Sequence, residues 1–526
     1  MFKPALLATA LIATIAPALS HAQTTKAPEV RVAEGRLAGT FTTDGQVRRF
    51  AGIPFAAPPV GPLRWREPQP VQRWQGVRSA ADFGARCAQL PLFADMVFRS
   101  PAPSEDCLFL NVWAPATARA GAKLPVLVFI HGGGFQAGSG DEPRYDGESM
   151  ARRGIVSVTV NYRLAALGFL SSAALVAESP HRASGNYGLL DQAAALAWVR
   201  RNIAAFGGDP ARVTVGGESA GSMSVSALMA SPLTRTRFAQ AIGESGAIMA
   251  PTLDLPTRDK ADAATAALAG KLGASDLAAL RAVPATTLLT AASDLRFGPT
   301  LDGWFLTEQP SATFAAGRQA RIPLLVGTNS QEGAAESILG NDAPTIASWR
   351  AGLVRAMGEQ NATAIAAAYP VASDADVRRV ATEFASDRFL GHSTWAWMDA
   401  QRRTGVPVYY YRYARVRPAA LATPTAPAPF GAVHSAEIEY ALGNLHTFRD
   451  SYAWTPEDER VSTTMQGYWA NFVLTGDPNG AELPRWVPVG AGDAPANRQQ
   501  IDVVTEGRPF DDQQRYRSMS TVLTPR

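Results

Sequence analysis

The chain has 526 residues, 46% hydrophobic and 18% charged, an ordinary balance for a globular protein. Its net charge of +3, with no Lys/Arg-rich run, gives no footing for a nucleic-acid partner. No internal repeat is present, and the length fits either several domains or one large α/β enzyme with insertions.

The chain opens with Met1-Phe2-Lys3, an apolar run over residues 5 to 19, then the small residues Ser20 and Ala22. This order predicts a signal peptide over residues 1–22 and a mature chain from Gln23. The run is short for a membrane span, and nowhere else do eighteen apolar residues follow one another. The expectation is an exported protein, periplasmic or secreted, without a membrane span. In that setting Cys87 and Cys107 are expected to form a disulfide rather than a metal site.

Residues 28 to 51 alternate in a β manner, with turn signals at Gly35, Gly39 and Gly45. Residues 52 to 61 are too proline-rich for regular structure and predict a rigid crossing segment. Residues 108 to 113 read as a strand. The continuous apolar run at residues 124 to 130 predicts a strand buried on both faces. It ends in His131-Gly132-Gly133-Gly134-Phe135, where glycines free backbone N–H groups to point at a ligand. A second buried strand is expected at residues 155 to 161. A helix follows over residues 187 to 206, stopped by Gly207-Gly208-Asp209-Pro210. Then a short β run at residues 212 to 215 meets Gly217-Glu218-Ser219-Ala220-Gly221 and a helix-compatible stretch to residue 230. The order is a doubly wound α/β pattern. Further on, residues 259 to 290 are Ala/Leu-rich with helical spacing and read as an insertion over a site. Strands are expected at residues 321 to 327, 406 to 413 and 499 to 504, a Pro/Ala/Thr-rich exposed loop at 417 to 429, and a helix at 466 to 474.

G-x-S-x-G between a strand and a helix is the nucleophile elbow of α/β hydrolases, a tight turn with serine at its tip. Gly243-Glu244-Ser245-Gly246 and Gly391-His392-Ser393-Thr394 do not complete the pattern, so Ser219 is the single elbow candidate. The chain resembles the type-B carboxylesterase family, the cholinesterase-like branch of the α/β hydrolases. The resemblance rests on residues 52–61, Ser104-Glu105-Asp106-Cys107-Leu108, His131 to Phe135, Gly185-Asn186-Tyr187-Gly188, Phe206 to Pro210 and the elbow. It continues through residues 242–246, 297–303, 327–333 and 433–440. It implies one α/β-hydrolase domain over residues 23–526, with a doubly wound, mostly parallel sheet and helical insertions over the active site.

A serine hydroxyl needs a base within reach, and imidazole titrates near working pH. The order Ser, acid, His leaves His392, His434 and His446, and the residues alone do not choose among them. The resemblance selects His434. It also selects Glu332, just past the strand expected at residues 321 to 327, as the acid that orients the imidazole. Gln331 beside it departs from the acidic residue usual in the family. The oxyanion hole carried over is the backbone N–H of Gly133, Gly134 and Ala220. Glu218 either tunes His434 or is structural.

The function implied is serine-dependent hydrolysis of neutral carboxylic esters through an acyl-enzyme, with no cofactor, metal or nucleic acid. A lipase or amidase on the same residues is the alternative, and a non-catalytic adhesion module the remoter one. Cholinesterases of this family hold a quaternary ammonium over a tryptophan in the loop corresponding to residues 87–107. That loop has Phe93, Phe98 and Arg99 but no tryptophan.

Overall fold

A computed structural model describes residues 27–423, 428–490, 497–510 and 512–523; the expected signal peptide lies outside them. Among the described residues, eleven strands form the main sheet. In chain order they are β1 (Thr40–Phe41), β2 (Val47–Pro54), β3 (Phe109–Pro115), β4 (Leu124–Ile130), β5 (Val156–Val160) and β6 (Gly208–Glu218). They continue with β7 (Gln240–Glu244), β8 (Leu324–Asn329), β9 (Val408–Tyr413), β10 (Asn497–Ile501) and β11 (Glu506–Pro509). Their order across the sheet is β11-β10-β9-β8-β7-β6-β4-β5-β3-β2-β1. From β10 to β5 every pairing is parallel, and antiparallel strands close both edges. Residues Glu29–Arg31, Arg36–Ala38 and Val77–Ser79 make a separate small sheet.

The reason β4 is apolar throughout is visible in its packing. Val126, Val128 and Ile130 enter the larger core, while Leu127 and Phe129 enter the second core on the opposite face. Alternate side chains therefore meet two layers, as a central parallel strand requires. The larger core holds helix α1 (Tyr187–Asn202), the elbow helix α2 (Ala220–Ala230) and the long insertions.

The Ala/Leu-rich stretch folds as three helices, α3 (Arg258–Leu272), α4 (Leu277–Ala282) and α5 (Ala285–Ala291). Helices α6 (Ile346–Met357), α7 (Asp374–Ser386), α8 (His392–Arg402), α9 (Pro456–Thr475) and α10 (Gln513–Leu523) complete those used below. A π-helical turn, Asp387–Gly391, joins α7 to α8.

Several bounds differ from the sequence expectation. The proline-rich crossing segment begins later, because β2 runs to Pro54 through a register shift between Phe50 and Ile53. Strand β6 starts at Gly208, before the stop signal ends, because Gly208 pairs with Leu124 across a bulge. In the stretch read as an exposed loop, Leu421 is exposed, as is Phe430 just beyond it, but Arg417 is anchored to Glu439 at 2.8 Å; residues 424–427 lie outside the described residues. Cys87 and Cys107 are bonded to each other.

Candidate active site

Ser219 sits where β6 turns into α2, with φ 55° and ψ −120°. A non-glycine residue at positive φ is strained, and such strain persists only where surroundings over-determine it. The flanking glycines show why. A Cβ on Gly221 would lie 2.0 Å from the Ile130 carbonyl oxygen, and one on Gly217 would lie 2.5 Å from the Gly221 carbonyl carbon. The turn is thus pressed against the C-terminal end of β4. The Ser219 N–H donates to the Glu244 carbonyl at 2.8 Å, tying the turn to β7.

His434 follows β9 in the chain, and Glu332 follows β8. Both strands deliver these residues to the same sheet edge as Ser219, the carboxyl ends of parallel strands where ligands bind in open α/β sheets. The Ser219 hydroxyl lies 3.0 Å from His434 Nε2, and His434 Nδ1 lies 2.8 Å from Glu332 Oε2. With Nδ1 protonated and donating to the carboxylate, Nε2 is left as an acceptor for the hydroxyl proton. The other oxygen of Glu332 accepts from the Ser245 hydroxyl at 2.5 Å and the Asn329 N–H at 2.6 Å. Three donors therefore fix a nearly buried carboxylate.

Gly133 and Gly134 adopt φ of 98° and 63°, and a Cβ on Gly133 would lie 2.1 Å from the Ala137 carbonyl oxygen. Among the described residues no protein acceptor takes the N–H of Gly133, Gly134 or Ala220. Amides so placed can bind a developing oxyanion.

Carboxylates surround the imidazole. Glu218 Oε1 lies 3.4 Å from His434 Nε2. Burial, then the neighbouring carboxylates, push the Glu218 carboxyl well above its usual range, against the pull of His434. Glu437 rises to about 7, first through burial and then through Glu332. Burial also raises Glu244, which accepts from the Trp469 indole at 2.8 Å. For His434, burial opposes the charged ring. Glu218 and Glu332 more than offset this and raise it. Glu218 and His434 thus contend for one proton, and the pair titrates as a unit.

The competing histidines are elsewhere. His392 is buried on α8 with Nε2 2.9 Å from the Ser520 hydroxyl, and burial lowers it to about 4. His446 lies in the 3-10 turn Leu445–Phe448. His131 is buried, stacked on Tyr162 and likewise lowered by burial to about 4. Sequence reasoning missed Ser245 and Asn329 as supports of Glu332, and Glu244 and Glu437 as buried carboxyl groups. Ser245 sat in a Gly-Ser turn set aside as an incomplete elbow, and its φ of 60° marks a second strained turn.

A model of the carboxylesterase family matches residues 26–519. The chain belongs to that family. Fumonisin B1 esterase of Sphingopyxis macrogoltabida is 38% identical over 462 residues, 84% of this chain and 82% of that one. Para-nitrobenzyl esterase of Bacillus subtilis (strain 168) is 37% identical over 469 residues, 86% of this chain and 90% of that one. A solved PNB esterase structure, 34% identical, superposes with a TM-score of 0.80 over 95% of this chain and 99% of its own. The α/β-hydrolase fold and carboxylic-ester hydrolase activity follow.

In this esterase a cavity of about 680 Å³ opens beside the glycine loop at Gly134. Leu90 and Leu92 of the disulfide loop line it, with Phe135, Phe169 and Phe297. Lys260, Ala261, Ala264 and Leu289 of the helical insertion line it as well. Arg99 does not face a substrate. Its Nε donates to the Asp141 carbonyl at 2.7 Å and its guanidinium pairs with Asp146 at 2.5 Å. Phe389, on the π-helical turn, sets its ring edge-on to His434 at 5.6 Å. Among the described residues no helix is long and apolar enough to cross a membrane.

Proposed function

We propose that Ser219, His434 and Glu332 carry the ester hydrolysis, with Gly133, Gly134 and Ala220 as the oxyanion hole. Ser219 Oγ bonds to the ester carbonyl carbon as its proton passes to His434 Nε2. The carbonyl oxygen takes up negative charge facing the three N–H groups. When the C–O bond breaks, His434 returns the proton to the departing alcohol. Water then attacks the acyl-enzyme, giving its proton to His434, and the acid leaves with Ser219 restored. Glu332 holds the imidazole in the required tautomer and balances the imidazolium. The observation that carries this reading is the unbroken hydrogen-bond relay from Ser219 through His434 to Glu332.

The substrates proposed are esters without a quaternary ammonium group. The residues 23–526 are proposed to form one domain, exported behind a signal peptide at 1–22. The test is para-nitrophenyl butyrate hydrolysis with Ser219→Ala, His434→Ala, Glu332→Gln and His446→Ala. The first three should lose several orders of magnitude and the last should keep most activity. Wild-type-like turnover by Ser219→Ala would sink the assignment. N-terminal sequencing of the exported protein should begin at Gln23.

A further inference from the structure

The cavity beside Gly134 is lined largely by apolar side chains, with charged groups among them. Three charged residues line it: Asp254, Lys260 and Arg296. All three are exposed, which places them at the open end. Lys260 sits on the first turn of α3, and Arg296 follows α5 just before Phe297. Asp259, the acid next to Lys260 in sequence, is not among the residues lining the cavity, and two further acids are engaged elsewhere. Asp294 is paired with Lys271, and Asp262 accepts from the Ser171 hydroxyl at 2.6 Å. Among the described residues neither Lys260 nor Arg296 is joined in an ion pair or a hydrogen bond. The mouth therefore carries two cations against one carboxylate, that of Asp254. On the reading above, the ester end of a substrate is placed at Gly134, in the glycine loop that carries the proposed oxyanion donors, and a volume of this size holds a small organic molecule.

Resting on the ester-hydrolase reading above, we propose that this esterase prefers esters whose remote end carries a carboxylate, received at the cavity mouth by Lys260 and Arg296. Guanidinium and ammonium groups offer that carboxylate charge-assisted hydrogen bonds, while the chain between it and the ester lies on the apolar lining. Because the cations are exposed, the preference is modest in size and sensitive to salt. Asp254 opposes it.

The test compares two para-nitrophenyl esters: the monoester of suberic acid, and its analogue with the far carboxyl replaced by a primary carboxamide. A second pair carries the carboxylate or carboxamide on the leaving alcohol and locates the half of the substrate that reaches the mouth. The readout is the ratio of kcat/KM, charged over neutral, at low ionic strength. In at least one pair the ratio should be about threefold or more. It should fall toward one at high salt and in the double variant Lys260→Gln, Arg296→Gln, and rise in Asp254→Asn. A ratio below about threefold in both pairs, or one that the double variant leaves in place, overturns the inference. Hydrolysis of the carboxamide esters, abolished in Ser219→Ala, tests the underlying reading separately. That reading stands if those esters are cleaved and the charge preference is absent.

Discussion

Replacing Glu218 by Gln keeps the side chain's shape and removes the carboxylate that stands 3.4 Å from His434 Nε2 whenever the shared proton sits on the imidazole. The imidazole retains 27% of its side-chain surface and the Glu218 side chain 3%, so solvent screens the pair from the imidazole side. With an effective dielectric of about 40–80, a unit charge at this distance is worth about 1–2.5 kcal/mol, or about 1–2 pH units. The sign follows from the chemistry. A carboxylate stabilises the imidazolium and raises His434, whereas the general base must be neutral. Without Glu218 the imidazole loses its proton at lower pH. The acid limb of the kcat/KM profile for para-nitrophenyl butyrate should therefore move about 1–2 units toward acid. A limb that stays in place would refute the reasoning, because it would mean that Glu218 is uncharged wherever His434 titrates. Stability shifts in a related way. The raised His434 stabilises the fold below its ordinary 6.5, and that contribution fades as pH climbs toward about 10. Urea unfolding of Glu218→Gln should accordingly show less loss of stability from neutral to alkaline pH than the parent.

Gly221→Ala should destroy activity and lower Tm, since its Cβ would meet the Ile130 carbonyl oxygen, a backbone atom that cannot swing aside; esterase assay and calorimetry check it. His392, lowered by burial to about 4, favours the fold above its ordinary 6.5 and loses that contribution as pH falls toward 4. His392→Gln should flatten the decline of Tm over that window. Replacing Cys87 and Cys107 by Ser should lower the unfolding free energy by about 2–4 kcal/mol, read by denaturant titration, since it releases a loop spanning 20 positions. Butyrylcholine should be no better a substrate than its uncharged dimethylbutyl analogue. A tenfold advantage, about 1.4 kcal/mol, would expose an unrecognised cation site.

The parallel strands were legible where burial on both faces left no polar position. The run at residues 124 to 130 and strand β4 share their bounds for that reason. Helix α9 was read only over its second half, although Thr455, Pro456 and Asp458 announce its start with a capping box and an N-terminal proline. Thr345 with Ser348, and Ser373 with Asp376, announce α6 and α7 in the same way, and both helices went unread. The π-helical turn has no local signature. Its first residue, Asp387, accepts from Tyr369 and Tyr516, partners 18 and 129 positions away. At the site, Ser219 was legible from its flanking glycines set between a strand and a helix, whereas His434 and Glu332 needed family resemblance to be singled out. Glu244 and Glu437 were opaque because a buried carboxylate and a surface one look alike in sequence.

The Asp512 carboxylate lies 2.6 Å from the Arg498 guanidinium and 3.2 Å from those of Arg412 and Arg515. Arg412 belongs to β9, Arg498 to β10, and Arg515 to α10, where it also meets Asp387 at the foot of the turn bearing Phe389. Synthesis delivers these pieces in sequence, so a chain still emerging from the ribosome brings out Ser219, Glu332 and His434 well before the acid that ties this knot. Until Asp512 arrives, Arg412 and Arg498 lack the carboxylate they share. The floor under Glu332 is thus complete only once α10 has docked against β9 and β10.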